Sequence, residues 1–270
     1  MIYIVVPCYN EEAVLEETTR QLAAVIKNLV RPARILYVDD GSRDNTWNLI
    51  QRLSEEYGLV RGVRLAHNVG HQQALWAGME HVAAEAEAIV SIDADLQDDV
   101  DVIGRMVRDY TEGTDIVYGV RADRSSDSFF KKWTAQAFYG LMKALGSETV
   151  YNHADFRLLS QRALAALLAH QERNLYLRGM VPLLGFNVRM EYYNRKERQA
   201  GESKYPLSKM LSLAVDGVTS FSVKPLRLIF ILGVVFILIA LGVIIWALAE
   251  HVRGNTIQGW TSLLVSLWFV

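Results

Sequence analysis

The chain has 270 residues, 51% of them hydrophobic, and a net charge of −2 from 28 basic and 30 acidic side chains, a balance that gives no reason to expect a nucleic-acid partner. Its one cysteine, Cys8, excludes an intramolecular disulfide framework. No charged segment followed by an apolar stretch and a cleavage site opens the chain, so the main domain is not expected to be secreted.

In chain order, Ile2–Val6 is a short apolar run closed by Pro7 and reads as a buried strand. Leu15, Leu22, Val25, Ile26 and Leu29 recur at helical spacing, with Asn10 as N-cap and Glu11 and Glu12 suited to the positive helix end. Ile35–Val38 is the second strand. Leu49, Ile50, Leu53 and Tyr57 mark a helix that Gly58 ends. A third strand near Val60–Leu65, a helix around Ala74–Ala84, a fourth strand at Ala88–Ile92, a helix over Val102–Tyr110 and a strand at Ile116–Val120 follow. Strands alternating with helices predict a mostly parallel sheet covered on both faces, with ligands beyond the carboxyl ends of its strands. The polar clusters Pro7–Glu11, Asp39–Asp44 and Asp93–Asp99 each fall just after a predicted strand.

Between Ser125 and Arg198 only a helix at Ala163–Ala169 and a strand at Val188–Tyr193 are legible. From Leu207 to Phe221 apolar residues form one helical stripe, read either as a helix packed on the domain or as one lying in a membrane interface. Leu228–Ala249 has no charged residue and, at about 1.5 Å per residue, reaches roughly 33 Å, enough to cross a hydrocarbon core of about 30 Å. After a polar break at Glu250–Gly259, Trp260–Val270 has the length of about half a crossing and reads as the start of a second transmembrane helix cut short. Lys204, Lys209, Lys224 and Arg227 precede the first span, which places the main domain on the cytoplasmic side. The expected organisation is a catalytic domain over 1–205, an interfacial amphipathic helix over 206–225, a transmembrane helix over 226–249 and a second one beginning at 260–270.

Two segments carry chemistry. Asp93-Ala94-Asp95 puts two carboxylates at i and i+2 on an extended segment, so both point the same way. A hard divalent ion completed by substrate phosphates compensates such a pair; two solvated loop acids are the alternative. Gln97, Asp98 and Asp99 add oxygen atoms nearby. Asp39-Asp40-Gly41-Ser42 also ends a strand; its acids suit ribose hydroxyls or a base N–H, or else an Asx turn with a helix cap. No dinucleotide fingerprint, phosphate-binding P-loop or zinc-protease motif is present, and the spacing of His67 and His71 alone does not make a zinc site.

Taken together, Val6-Pro7-Cys8-Tyr9-Asn10-Glu11-Glu12, Val38–Thr46, Asn68-Val69-Gly70 and Asp93-Ala94-Asp95-Leu96-Gln97-Asp98 resemble, in order and spacing, the motifs of family 2 glycosyltransferases, over about residues 1–225 and on into the apolar tail. Within that family the chain is most similar to the polyprenyl-phosphate glycosyltransferases, the dolichol-phosphate mannose synthases and undecaprenyl-phosphate glucosyltransferases. The resemblance implies a GT-A fold, a nucleotide-sugar donor and Mg²⁺ or Mn²⁺. By that resemblance Pro7, Tyr9, Glu11 and Asp40 hold the nucleoside, Asp39 supports the turn, Asp93 serves ribose or metal, and Asp95 and Gln97 bind the metal. Arg198, Ser203 and Lys204, in a late basic motif, belong near the diphosphate. Arg121, with Arg124 and Lys131, is assigned to the acceptor phosphate, and Asp155 to the acceptor side, as an orienting acid or as a base.

The implied reaction is inverting transfer of a hexose, glucose from UDP-glucose first, to a polyprenyl phosphate by a multi-pass protein of the inner (plasma) membrane, free to form a homo-oligomer. GDP-mannose or a modified UDP-pentose are alternative donors. A processive polysaccharide synthase and a non-catalytic nucleotide-sugar-binding scaffold are the rival functions.

Overall fold

The computed structural model describes residues 1–122, 153–170, 177–194, 224–254 and 259–269. The chain divides into two compact units, Met1–Gly217 and Val218–Val270.

The first unit is built on a seven-stranded sheet: β1 (Ile2–Cys8), β2 (Ala33–Asp39), β3 (Val60–Arg64), β4 (Ala88–Ser91), β5 (Ile116–Arg121), β6 (His153–Ser160) and β7 (Val188–Tyr193), in the order β3-β2-β1-β4-β6-β5-β7. β1 pairs in parallel with β2 and β4, β2 with β3 and β5 with β7, while β6 inserts antiparallel between β4 and β5. The expectation of a mostly parallel sheet therefore holds, with one exception that falls in the stretch whose topology the sequence left unread. β6 contains Ala154–Leu158 and begins at the edge where β4 and β5 end.

The inner strands β1, β2, β4 and β5 are almost wholly buried and read as near-continuous apolar runs because helices cover both faces, whereas the edge strands β3 and β7 carry exposed arginines. Ile2, Ile4, Val6 and Cys8 share one face with Leu15 and Leu22 of α1 (Leu15–Lys27), Leu49, Ile50 and Leu53 of α2 (Thr46–Glu56), and Ile103, Met106 and Val107 of α4 (Val102–Thr111). On the opposite face α3 (His71–Val82) lies so close that a Cβ on Gly78 would stand 2.6 Å from Val5 and Val38 methyls. α5 (Gln161–Leu168), capped by Ser160 Oγ accepting from Ala163 N, and α6 (Leu177–Leu183) complete the unit.

Several boundaries differ from the reading of the sequence. β1 runs through Pro7, which pairs with Val38; pairing to β4 stops at Val5, so the missing proline N–H removes no ladder bond. Asn10 is not the N-cap of α1, because the helix begins only at Leu15 with Val14 before it. Asn10 instead adopts a left-handed φ of 55° that an asparagine tolerates. α3 starts three residues before the expected Ala74, at His71, and that earlier start brings His71 and Gln72 to the sheet edge.

In the second unit, α7 (Lys224–Val252) contains one candidate membrane span, Ile229–Val252, 24 residues whose most apolar 18-residue stretch has a mean hydropathy of 3.2 and is unburied. α8 (Trp260–Phe269) has 10 residues, too few to cross, and packs Trp260 edge-to-face on Trp246 at 5.8 Å. One helix long and apolar enough to cross is thus present among the described residues, rather than several. The expected interfacial helix over 206–225 lies outside the described residues except at its last two positions, where α7 has already begun.

Candidate active site

The carboxyl edge of the sheet gathers three loops, after β1, β2 and β4, and the first turns of α3 and β6. The first two loops are laced together by side chains bonding to backbone. The Asn10 amide donates to Ser42 Oγ (2.9 Å), the Glu11 amide to Thr46 Oγ1 (2.9 Å), and the Arg43 amide to Asn10 Oδ1 (2.9 Å). Glu12 Oε2 accepts from the Asn45 amide at 2.9 Å. Asp39 is fully buried and accepts from the Ser42 amide at 3.0 Å, with Arg64 Nε 3.2 Å from its other oxygen. Asp40 accepts from the amides of Val69 (2.7 Å) and Gly70 (3.0 Å), so it holds the loop that leads into α3. Gly41 stands at φ +67°, and a Cβ there would meet the His67 carbonyl carbon at 2.8 Å. Conformation and close approach both require glycine at this turn. Pro7, Tyr9 and Glu11 line the same loop system, Pro7 buried and the other two half-buried.

After β4, Asp93 and Asp95 sit half-buried around a buried Ala94, whose carbonyl accepts from Thr18 Oγ1 of α1 at 2.8 Å. The Gln97 amide donates to Asp95 Oδ1 at 3.2 Å, and Leu96 between them has φ 57°, a costly conformation for leucine. Asp93 Oδ1 is buried with no hydrogen-bond partner, and the nearest cation, His71 Nε2, is 3.5 Å away. Burial pushes the Asp93 carboxyl up to about 6; His71 opposes the shift, while Asp98, Asp155 and Asp95 add to it. The imidazole of His71 lies at ion-pair distance but leaves Asp93 Oδ1 without a hydrogen bond, and a divalent cation fits this oxygen. Among the described residues no group of three or more His, Cys, Asp or Glu side chains is already closed around a metal position. Asp93 and Asp95 offer two carboxylates, a number that suits a hard cation whose shell is completed by phosphate oxygens and water.

Opposite this loop, across the β4–β6 pair, lies Asp155, a residue whose surroundings only the fold reveals. Ser91 of β4 stands beside Arg157 of β6, and Ser91 Oγ donates to the Asp155 carbonyl at 2.5 Å. The Asp155 side chain is 6% exposed and accepts from Arg157 Nη2 (2.5 Å), Arg178 Nε (3.2 Å), Arg178 Nη2 (3.0 Å) and Gln72 Nε2 (3.1 Å). Burial alone raises such a carboxyl, yet His71, Arg178 and Arg157 outweigh it and hold Asp155 well below the usual carboxylate range. Arg157 is completely buried, and its Nη1 donates to the Leu177 carbonyl at 3.1 Å. Gln72 Oε1 accepts from the Leu177 amide at 3.1 Å, so α3, β6 and α6 meet at this one acid.

His71 Nε2 lies 3.5 Å from Asp93 and 3.6 Å from Asp155, ion-pair rather than hydrogen-bond distances, with 32% of the side chain exposed. Burial disfavours its charge, but the two carboxylates raise it to about 9. Arg121, at the end of β5, is 3.4 Å from Asp98 Oδ1, which also accepts from Tyr193 Oη at 2.5 Å.

The structure thus brings Asp93, Asp95, Gln97, Asp155 and Arg121 to the same sheet edge as Pro7, Tyr9, Glu11, Asp39 and Asp40. Arg124, Lys131, Arg198, Ser203 and Lys204 lie outside the described residues. His71, Gln72, Arg157 and Arg178 are not among the residues assigned from sequence; His71, Arg157 and Arg178 supply positive charge around Asp155, and Gln72 a neutral hydrogen bond.

Residues 3–168 match the family model described as Glycosyl transferase family 2. The chain is 48% identical over 276 residues to the uncharacterized glycosyltransferase YkoT of Bacillus subtilis (strain 168), covering 100% of this chain and 82% of that one. It is 35% identical over 274 residues to the prophage bactoprenol glucosyl transferase homolog of Escherichia coli (strain K12), covering 100% of this chain and 88% of that one. Among solved structures, the glucosyl-3-phosphoglycerate synthase of Mycobacterium tuberculosis with Mn²⁺, uridine diphosphate and phosphoglyceric acid superposes with a TM-score of 0.53 at 17% identity, over 79% of this chain and 74% of that one. That likeness shows the fold, the GT-A-like arrangement of a sheet between helices.

Proposed function

The chain belongs to glycosyl transferase family 2, and from that premise we propose that it transfers a hexose, glucose from UDP-glucose, to a polyprenyl phosphate at the cytoplasmic face of the inner membrane. The observation that carries this reading is the reach of the similarity: the likeness to a bactoprenol glucosyl transferase homolog extends over the whole chain, α7 included, and does not stop at the sheet. A lipid-phosphate acceptor stays in the bilayer, and a chain with an exposed 24-residue apolar span is suited to meet it there. Lys204, Lys209, Lys224 and Arg227, before that span, favour the cytoplasmic side, and the apolar segment from Trp260 is taken as the beginning of a second crossing.

The roles follow the two sides of the site. Pro7, Tyr9, Glu11, Asp39 and Asp40 form the nucleoside side, where the laced loops fix the backbone before the donor arrives. Asp93, Asp95 and Gln97 hold Mg²⁺ or Mn²⁺, which when bound neutralises charge on the departing nucleoside diphosphate. Arg198, Ser203 and Lys204 serve that same diphosphate. A phosphomonoester carries about −1.5 to −2 charge at pH 7 and needs no strong base to become a nucleophile. It needs placement and screening, the work assigned to Arg121, Arg124 and Lys131. An acceptor oxygen forms the new bond to the anomeric carbon on the face opposite the leaving group. The bond from that carbon to the diphosphate breaks, its electron pair leaves with the nucleoside diphosphate, and the anomeric centre inverts. Asp155 acts by orientation, because a carboxylate held well below its usual range by His71 and two guanidinium groups is a poor proton acceptor.

The test is incubation of the membrane-embedded protein with undecaprenyl phosphate and a panel of radiolabelled nucleotide-sugars, with Mg²⁺ or with chelator. The proposal expects chelator-sensitive label in the lipid fraction from UDP-glucose. Label from GDP-mannose or a UDP-pentose changes the sugar but not the reaction. Label in polymer points to a polysaccharide synthase, and donor binding without any transfer to a scaffold.

A further inference from the structure

We infer that Gln72 is a positioning residue for the transfer step: it acts through Asp155, whose acceptor-side role is taken from the functional reading above. Asp155 accepts from Arg157 of its own strand, β6, and from Arg178 of α6. Those contacts hold β6 and α6 to each other. The tie to α3 is made by the neutral side chain of Gln72. Its Nε2 donates to Asp155 Oδ2 at 3.1 Å, and its Oε1 accepts at 3.1 Å from the amide of Leu177, the first residue of α6.

These two partners fix the residue type. A carboxylate oxygen needs a donor and a backbone N–H needs an acceptor. The primary amide of glutamine offers both without adding charge, whereas a glutamate offers acceptors only and a lysine or arginine donors only. The same partners set which way the amide faces, because the reversed group would put oxygen against Asp155 and NH₂ against the Leu177 N–H.

Gln72 transmits the placement of α3. Asp40, just after β2, accepts from the amides of Val69 and Gly70 at 2.7 and 3.0 Å, immediately ahead of the helix. Further along, Gly78 lies so close to the sheet that a Cβ would stand 2.6 Å from methyls of Val5 and Val38. The helix is thus pinned to β1 and β2 both before its first turn and within its body. From that first turn Gln72 holds Asp155, while His71 stands 3.5 Å from Asp93 and 3.6 Å from Asp155. Loss of the Gln72 amide leaves the arginine contacts of Asp155 in place but frees the β6–α6 pair to shift against α3 and the Asp93 loop. A misplacement of about 1 Å in a reacting constellation can cost on the order of a hundredfold in rate.

Gln72→Glu and Gln72→Leu test this in the full-length protein in lipid vesicles, by initial rates at varied UDP-glucose and at varied undecaprenyl phosphate. Gln72→Glu keeps an acceptor for the Leu177 amide and removes the donor to Asp155; Gln72→Leu removes both. The expected result is a kcat lowered about tenfold or more in both variants, with the donor KM within about twofold of wild type. Added to Asp155→Asn, Gln72→Leu is expected to cost less than the product of the two single losses by about threefold or more, because both changes disable one device. A wild-type kcat in Gln72→Glu overturns the inference and leaves Gln72 a tether of α6. Losses that multiply fully in the double variant also overturn it, by detaching Gln72 from Asp155. So does a donor KM that rises as much as kcat falls, which moves the residue to the donor side. Should Gln72→Leu unfold, Gln72→Glu takes its place in the double variant. If the wild-type protein labels no lipid, the functional proposal fails and takes this inference with it; if it does and Gln72→Glu turns over as wild type, this inference alone fails.

Discussion

The two halves of the catalytic sheet are held together by different physics. On the β1–β2–β3 side, neutral hydrogen bonds lace backbone to short side chains, as from Asn10 N to Ser42 Oγ and from Glu11 N to Thr46 Oγ1. Even its acids, Asp39 and Asp40, accept from main-chain amides. On the β4–β6 side, charged side chains from α3, β6 and α6 converge on one buried carboxylate. The first arrangement makes a rigid cradle for a ligand recognised by shape. The second gathers charge around one acid, the division expected if the first side takes the donor and the second the acceptor, as proposed.

The largest expected effect separates the halves by stability. Asp155→Leu strands Arg157 as an unpaired buried cation and should cost about 3–5 kcal/mol in denaturant unfolding. Adding Arg157→Met should recover most of that loss, because a buried ion pair replaced on both sides by apolar groups is close to neutral. Failure of the second change to recover stability breaks the picture of an ion pair balanced within the fold.

The next effect is on turnover. Asp95→Asn should reduce transfer about a hundredfold and cost less than about 1 kcal/mol in unfolding, since Asp95 is half-buried and asparagine keeps an oxygen to accept from the Gln97 amide. An equal loss of stability would place Asp95 with the structural acids Asp39 and Asp40.

A smaller effect concerns pH. Asp155 titrates lower in the folded chain than in the unfolded chain, where a free aspartate has a value of about 3.9. Its contribution to stability is therefore full above about pH 4 and is lost as pH falls from there through the depressed folded value. Thermal midpoints measured downward from pH 5 should fall more steeply in wild type than in Asp155→Asn.

The same contrast decides what the sequence makes legible. The β1–β2–β3 half follows from local pattern: apolar runs of strand length, helical spacing, and polar clusters placed just after each strand. Asp93 and Asp95 are readable because an i, i+2 pair on an extended segment points one way whatever else the chain does. The β4–β6 half depends on contacts between residues far apart, with 83 positions separating Gln72 from Asp155 and 105 separating it from Leu177. No periodicity announces that β6 enters antiparallel between β4 and β5. His71 stands out in the sequence only beside His67, a spacing that by itself makes no site, whereas its neighbours in the fold are Asp93 and Asp155. Asn10 does not cap α1 for a related reason. Its side chain serves the Arg43 amide in the next loop rather than its own helix.

The most direct test of this division of labour is Asp155→Asn, which keeps the size of the side chain and an acceptor oxygen for Arg157. UDP-glucose binding is measured by calorimetry with Mg²⁺ present, and transfer to undecaprenyl phosphate is measured in the same preparation. The account predicts donor affinity within about twofold of wild type and transfer reduced about a hundredfold, the scale of a lost electrostatic contribution at the reacting centre. Donor affinity that falls in step with transfer would contradict it, and would make Asp155 part of the donor site.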